Sequence, residues 1–457
     1  MSNPIMKSIN ETPDFQDSIR SISQPTEDSI AKAFAHQYQT KFRFDHTNGR
    51  WFIWDGSRWK LDETRLAFNY TRDLCREFNR THRESSLPKY RTAAAVERFA
   101  QADPLLATTH EAWDSNPWLL CTPKGTVELQ SGTIRENRSG DYCSKCTSVS
   151  PGDVPTPLWD SFLRETTQND EALIRYLQQI TGYCLTGITR EHALFFIYGQ
   201  GGNGKGVFVN TISSILGDYH TAANMEMFTA SKYDRHPTEL ARLHNARMVT
   251  ASETEEGKAW AESRIKQLTG GDPIAARYMK KDFFDFMPQF KLIFLGNHKP
   301  VLRNVDEASK RRFNIIPFDH KPKKPDKDLP EKLKAEFPGI LQWAINGCLD
   351  WQKYGFITPE KVTNETETYF CEQDTFSQWL FERTEKKSSE PTTQLFNDWK
   401  QWCQQQGEDY GSMRSLTEKL TNAGYTYAKK IPIDRNKRGF IGISLKSKSD
   451  AWSAYAD

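Results

Sequence analysis

The sequence predicts an α/β fold built on a parallel sheet. Three observations carry that expectation. Residues 193–198 form an apolar run that enters a glycine-rich stretch and then a helical pattern at 207–216. Residues 248–251 and 292–295 are two further short apolar runs, each followed by polar residues. Helical spacing lies between the runs. Strands covered by helices on both faces read as short, nearly continuous apolar runs, and strands alternating with helices build a parallel sheet.

Residues 1–27 are polar and mix Ser, Asn, Pro and acidic side chains, the composition of a loose arm. A helix is expected at 28–38, capped by Asp28 or Thr26, with Ile30, Ala33 and Phe34 as its apolar stripe. Residues 42–61 contain RWFIWDGSRW, where aromatics alternate around Asp55-Gly56 and predict a hairpin. Residues 62–112 read as helical. Residues 117–147 return to strand character, with turns at Lys124-Gly125 and Ser131-Gly132. Pro151, Gly152, Pro155 and Pro157 mark a boundary. The stretch 329–351 is mostly helical, with Gly339 and Gly347 expected as local breaks. Near the end, helices at 376–383, 392–405 and 415–423 precede a hairpin at 427–445, the element order of a winged helix. The expected domains are an arm at 1–27, a small α+β domain at 28–157, the α/β core at 158–360 and a winged-helix domain at 361–457.

The chain has 457 residues, enough for about two to four domains. Its net charge of +2 is too small to announce a nucleic-acid binder, so such binding must come from local patches. The eight cysteines are scattered, unlike a secreted disulfide framework. They suit reduced thiols in a soluble, cytoplasmic protein. No stretch approaches the ~18 apolar residues of a membrane span, and the start lacks a signal-like apolar region.

The glycine-rich stretch is Gly199, Gln200, Gly201, Gly202, Asn203, Gly204, Lys205, Gly206 and Val207. It fits GxxxxGK, the core of a phosphate-binding loop. Glycines let successive backbone N–H groups turn inward around an anion, and the helix that follows points its positive end at the same anion. Lys205 adds a full charge. The motif normally ends in Ser or Thr, whose hydroxyl holds Mg²⁺, and here that position is Gly206. The run at 248–251 leads into Ser252, Glu253, Thr254 and Glu255. A carboxylate at such a strand end orients water and helps to hold Mg²⁺, and Glu253 is the first candidate, Glu255 the second. Asn297, at the tip of the run 292–295, can contact a terminal phosphate or the attacking water. Arg311 and Arg312 precede another apolar run, 313–318. An arginine at a subunit edge can stabilise charge in a neighbouring site, worth ~10³–10⁵ in rate where it acts as a finger.

These blocks together resemble the superfamily 3 helicases, in particular the phage and plasmid primase–helicase group related to the poxvirus primase–helicase. The residues that carry the resemblance are GQGGNGKGVF, ASETEEG, IKQLTGGDPIAAR, FLGNHKP and RRFNIIPF, in that order. The resemblance implies an AAA+-like core and a ring, usually a hexamer, with ATP and Mg²⁺ at subunit junctions. It implies translocation on single-stranded DNA, with duplex at a fork. Lys205 is then the phosphate-loop lysine, Glu253 the acidic residue, Asn297 the sensor and Arg312, or next Arg311, the trans-acting arginine. The group places a channel hairpin after Arg277, which puts Lys280 and Lys281 on DNA. In the tail, Lys429 and Lys430 lie on a basic stripe suited to a DNA-contacting wing.

Two departures bear on the chemistry. Gly206 removes one expected Mg²⁺ ligand, and Ser252 stands where many ATPases place Asp, so Ser252 and Glu253 are the metal candidates. The residues before the small domain are too few for a primase domain. Primer synthesis is therefore not expected, and a separately encoded primase or polymerase is a candidate partner. The expected role is replication of a phage, plasmid or related mobile element in the host cytoplasm. The alternative is a nucleotide-dependent DNA-binding, origin or loading factor with weak hydrolysis. Cys143 and Cys146 have CxxC spacing, but no second ligand pair accompanies them, so incidental thiols are expected rather than zinc.

Overall fold

The computed structural model describes residues 22, 24–230, 238–252, 259–279, 282–302, 306–322, 324–407 and 409–446. They form two compact units. One comprises Arg311–Thr366 with the residues up to Pro300, and the other comprises Val301–Lys310 with the residues from Glu367 onward.

The first unit opens with a small α+β region. Helix α1 (Glu27–Tyr38) starts at Thr26, whose hydroxyl accepts the Ser29 N–H while the Ser29 hydroxyl accepts the Thr26 N–H. Thr26 is therefore the cap and Asp28 is not, because only a residue outside the helix can fold its oxygen back on the free N–H groups. Strands β1 (Phe42–Asp45), β2 (Arg50–Trp54) and β3 (Trp59–Leu61) pair antiparallel. The turn between β2 and β3 uses Gly56 at φ +99°, and the Asp55 carboxylate accepts the N–H groups of Ser57 and Arg58. Helices α2 (Leu66–His82) and α3 (Tyr90–Gln101) follow, and β4 (Ala107–Thr108) joins β1 in parallel. Strands β5 (Leu119–Thr122), β6 (Gly125–Glu128) and β7 (Thr133–Arg135) make an antiparallel meander.

The α/β core follows with α4 (Pro157–Thr167), α5 (Glu171–Leu185), β8 (Leu194–Tyr198), α6 (Lys205–Leu216), β9 (His220–Ala222), α7 (Thr238–Ala241) and β10 (Met248–Ser252). Next come α8 (Glu262–Thr269), the antiparallel pair β11 (Ile274–Arg277) and β12 (Phe283–Phe286), and β13 (Lys291–Gly296). Helix α9 (Glu307–Lys310) belongs to the second unit. Strand β14 (Phe313–Pro317), α10 (Leu329–Leu333) and α11 (Phe337–Tyr354) complete the core. Its sheet is parallel throughout, in the order β14-β8-β13-β10-β9. The protein is thus a mixed α/β chain with a parallel sheet and a small N-terminal region. The three apolar runs become β8, β13 and β10. Leu194, Phe195, Phe196 and Ile197 are all buried, as expected for a strand covered on both faces.

Helix α11 corrects one expectation. It runs unbroken through Gly339 and Gly347. A Cβ at Gly347 would meet the Gln178 carbonyl oxygen at 2.1 Å, and one at Gly182 would meet the Cys348 nitrogen at 2.1 Å. These glycines let α5 and α11 touch backbone to backbone. The buried core around them includes Tyr176, Leu177, Ile345 and Trp351.

Cys143 and Cys146 are buried against Cys121 in a cluster of thiols. Among the described residues no group of three or more His, Cys, Asp or Glu side chains is arranged to hold a metal ion. No helix among them is long and apolar enough to cross a membrane.

Helix α12 (Glu360–Gln373) leads into the second unit, which contains α13 (Thr375–Arg383), β15 (Thr384–Glu385), β16 (Ser389–Pro391), α14 (Thr392–Gln406), α15 (Met413–Asn422), β17 (Thr426–Ala428), β18 (Gly439–Ile441) and β19 (Ser444–Leu445). Strands β16, β18 and β17 form one antiparallel sheet, and β15 pairs with β19. Trp379, Leu395, Trp399, Leu416 and Phe440 share its core.

Lys291 is 2% exposed, and its ammonium donates to the carbonyls of Thr186, Gln289 and Ile188 without a carboxylate nearby. Burial pushes its pKa down to about 7. Its unfolded value is about 10.4. The folded state therefore releases this proton first, and stability rises as pH climbs from about 7 towards about 10. Thermal melts across that interval should show the wild-type melting temperature rising relative to that of Lys291→Met. Parallel pH slopes in the two proteins would refute the assignment.

Candidate functional site

The carboxyl ends of the parallel strands converge on one edge. Tyr198 of β8 lies beside Gly296 of β13 and Pro317 of β14, and Ser252 of β10 lies beside Leu295. The glycine-rich loop leaves from this edge and is pinned there. The Gly199 N–H donates to the Gly296 carbonyl at 3.3 Å, the Phe318 N–H to the Tyr198 carbonyl at 2.7 Å, and the Asn203 side-chain amide to the Phe318 carbonyl.

Three glycines in the loop have a physical cause. Gly199, Gly202 and Gly204 have φ of +152°, +83° and +88°. A Cβ at Gly199 would meet the Phe318 carbonyl oxygen at 2.2 Å, and one at Gly204 would meet the Phe162 ring at 2.9 Å. Gly206 differs. It sits in the first turn of α6, and a Cβ there would meet nothing within 4 Å. Nothing in the fold requires glycine at that position.

Lys205 opens α6 and is 7% exposed. Its ammonium reaches the Gly199 carbonyl, the Gln200 carbonyl at 3.1 Å, the Asn203 side-chain oxygen at 3.1 Å and the Asn297 side-chain oxygen at 3.2 Å. Burial lowers its pKa. The oxygens that hold it are neutral, and the loop around it is rich in backbone N–H groups. Phosphate oxygens can replace those acceptors, at once gaining the ammonium and the N–H groups.

Of the other expected residues, Asn297 joins Lys205, and Ser252 ends β10 at the same edge with its side chain exposed. Glu253, Lys280 and Lys281 lie outside the described residues. Arg277 ends β11 with its guanidinium 5.0 Å from the Phe283 ring centre. Arg311 and Arg312 are not brought to the loop. They precede β14, which runs parallel to β8 with Phe313 beside Leu194, so they sit at the sheet's opposite edge. At about 3.3 Å per residue the strand separates them from the loop by more than ~10 Å. The Arg312 Nε–H donates to the Thr269 hydroxyl at 3.3 Å. Lys429 and Lys430 are exposed residues of the second unit, just after β17.

One residue at this edge escaped the sequence. Lys321 lies against the glycine loop: a Cβ at Gly202 would meet its Cε at 3.2 Å and its Nζ at 3.8 Å. It reads in the sequence as one lysine of an exposed Lys/Pro stretch. Only the pairing of β14 with β8, which delivers residue 318 over the loop, brings it here.

Comparison with known proteins accords with this picture. Residues 31–168 match the family model described as D5 N terminal like, and residues 197–312 match a family of unknown function. The chain is 27% identical over 294 residues to the protein named "Putative helicase L207/L206" of Acanthamoeba polyphaga mimivirus, covering 58% of this chain and 30% of that protein. It is 27% identical over 180 residues to Primase D5 of fowlpox virus, covering 37% of this chain and 22% of that one. The chain thus spans about a third or less of these relatives' length. The solved C-terminal region of NrS-1 shares the fold, with a TM-score of 0.51 at 12% identity over 90% of this chain and 99% of that one. The chain therefore carries a D5 N-terminal-like region and is related to viral proteins named as helicases and as a primase.

The glycines make a structural prediction. Gly206→Ala should be neutral or raise stability by up to about 1 kcal/mol, since alanine is the better helix former and the space is open. Gly199→Ala should lower the melting temperature and perturb the loop, since the carbonyl it strikes is backbone. Thermal melts of the two variants check both signs.

Proposed function

We propose that this chain is an ATP-driven DNA motor, a ring-forming helicase of the superfamily 3 kind with a phosphate-loop core and a C-terminal winged helix. The observation that carries the reading is the Lys205 ammonium, held between the glycine loop and Asn297 at the carboxyl edge of the sheet. Ligands of open α/β sheets bind at that edge. The strand order β14-β8-β13-β10-β9 flanks the loop-bearing strand on both sides, so β13 and β14 each deliver a tip beside it. Names of the viral relatives support a role in DNA replication.

In this reading the loop N–H groups, Lys205 and Lys321 bind the polyphosphate of ATP. Asn297 exchanges its contact with Lys205 for the terminal phosphate or the attacking water. Mg²⁺, when bound, neutralises phosphate charge, and Ser252 with Glu253 would hold it. Arg311 and Arg312 lie at the sheet edge opposite their own loop, which suits a finger that completes a neighbouring subunit's site, with the assembly most simply a hexamer. Arg277, at the end of β11, and Lys280 and Lys281, which follow it in sequence, would then meet single-stranded DNA. In the second unit, Lys429 and Lys430 follow β17 at a wing suited to DNA.

Gly206 favours a second reading, a nucleotide-dependent DNA-binding or loading factor with weak hydrolysis. ATP turnover with and without single-stranded DNA separates the two: stimulated turnover supports the motor, and binding without turnover supports the switch.

Lys205→Ala is expected to abolish ATP-driven strand displacement, and wild-type displacement would sink the assignment. Lys321→Ala should raise the KM for ATP about tenfold with a smaller change in kcat, the size of one lost hydrogen bond to a charged group. The open space at Gly206 admits a hydroxyl-bearing side chain. Gly206→Thr should therefore tighten the Mg²⁺ dependence of turnover. An unchanged Mg²⁺ titration would show that the missing hydroxyl is not what limits the site.

A further inference from the structure

A cavity of about 340 Å³ shares no residue with the glycine loop. Its volume falls at the small-ligand end of binding-site sizes, about 300–1,000 Å³. It lies within the first unit, between the β2–β3 hairpin, the segment at Ser144 and Lys145, the residues after α7, and Tyr278 just after β11.

Four cations line this cavity: Arg58, Lys60, Lys145 and Arg242. Asp218 is the one acid on its wall, and it is paired with Arg58. Lys60 pairs with Asp55 at 2.7 Å. Lys145 and Arg242 are different, since neither side chain makes a hydrogen bond or ion pair with any described residue. Two carboxylates stand behind the wall, but neutral donors take their oxygens. Asp45 accepts from Trp113 Nε1, the Thr47 N–H and the Asn48 side chain. Asp114 accepts from Ser144, Asn245 and the Lys145 backbone N–H. The Lys145 backbone is thus held by Asp114, while its ammonium has no hydrogen-bond acceptor among the described residues. Burial lowers its pKa, the Asp114 charge offsets part of that, and the Arg58 charge adds to it.

The cavity also offers aromatic rings in fixed orientations. Phe52 stacks on Trp113 at 4.4 Å, and Tyr278 stacks on Phe284 at 5.0 Å. Cations beside braced rings are what a nucleotide unit needs, since phosphate meets charge and the base meets a π-face.

We propose that this cavity is a second nucleotide-binding site, with the phosphate on Lys145 and Arg242 and the base against Phe52 or Tyr278. The same chemistry is offered by one residue of a single DNA strand or by a free mononucleotide. The site does not depend on the phosphate-loop reading, so it can be tested with that loop disabled.

The test uses the full chain carrying Lys205→Ala and two photoreactive probes, 5-iodo-dUMP and a short oligothymidylate containing one 5-iododeoxyuridine. Cross-linked peptides are mapped by mass spectrometry. The expected result is a cross-link at Phe52 or Tyr278. Its yield at sub-saturating probe should fall about tenfold with Arg242→Ala, the size expected for one lost hydrogen bond to a charged group. Lys145→Ala should act alike, and Arg242, being exposed, serves alone if the Lys145 variant does not fold. Cross-linking by the mononucleotide assigns a free nucleotide, and cross-linking by the oligonucleotide alone assigns a strand. No cross-link at either ring with either probe overturns the proposal. So does a cross-link there that survives Arg242→Ala unchanged.

Discussion

The candidate site depends on one long-range contact, the seating of the Phe318 carbonyl over the glycine loop. That carbonyl accepts the Asn203 side-chain amide across 115 residues of sequence and occupies the space where a Cβ of residue 199 would stand. It is there because β14 pairs in parallel with β8 and carries the chain past the loop. With its amide on Phe318, Asn203 turns its carbonyl oxygen to the Lys205 ammonium, and the same ammonium reaches Asn297 just past the neighbouring strand. A short motif that reads as local is therefore shaped by the sheet's edge pairing. Weakening β14 would disturb Asn203, Lys205 and Lys321 together.

The parallel sheet also sorts its polar and charged groups by edge. Lys205, Asn297, Ser252 and Lys321 lie at or against the carboxyl edge, whereas Arg311 and Arg312 enter β14 from the amino edge. Strand length alone forbids the two groups from meeting within one chain. In the proposed motor this separation has a use, because a site shared between subunits lets one subunit's nucleotide state be sensed by the next.

What was legible in the sequence followed from local physics. Strands β8, β10 and β13 stood out because burial on both faces leaves uninterrupted apolar runs, and the loop stood out because close backbone approach demands glycine. Strand β9 did not, since its three residues, His220, Thr221 and Ala222, form no apolar run. The run at 313–318 was visible, but its place as a neighbour of β8 was not, and with it went Lys321. Gly347 misled for a similar reason. A glycine in a helical pattern reads as a break until the partner helix, here α5 at Gln178, shows why no side chain fits. Cys121 likewise joins Cys143 and Cys146 only through the meander that folds it beside them.

Among the described residues, buried and half-buried positive charge comes in three forms, and the difference lies in what holds it. Arg247 and Lys291 are almost fully buried, yet fixed main-chain carbonyls surround them: Leu185 and Leu119 for the arginine, Thr186, Ile188 and Gln289 for the lysine, each beside a tyrosine ring. Those acceptors belong to the core and cannot leave, so these cations act as struts. Lys205 is held by a glycine-rich loop and by two asparagine side chains, acceptors that can rotate or be replaced. Lys145 has a placed backbone and, among the described residues, no hydrogen-bond acceptor for its ammonium. Since an unpaired charge inside a protein costs more than a paired one, the acceptors around a cation separate structure from function better than its burial does. By that criterion Arg247 and Lys291 serve the fold, while Lys205 and Lys145 are the candidates for an anion from outside.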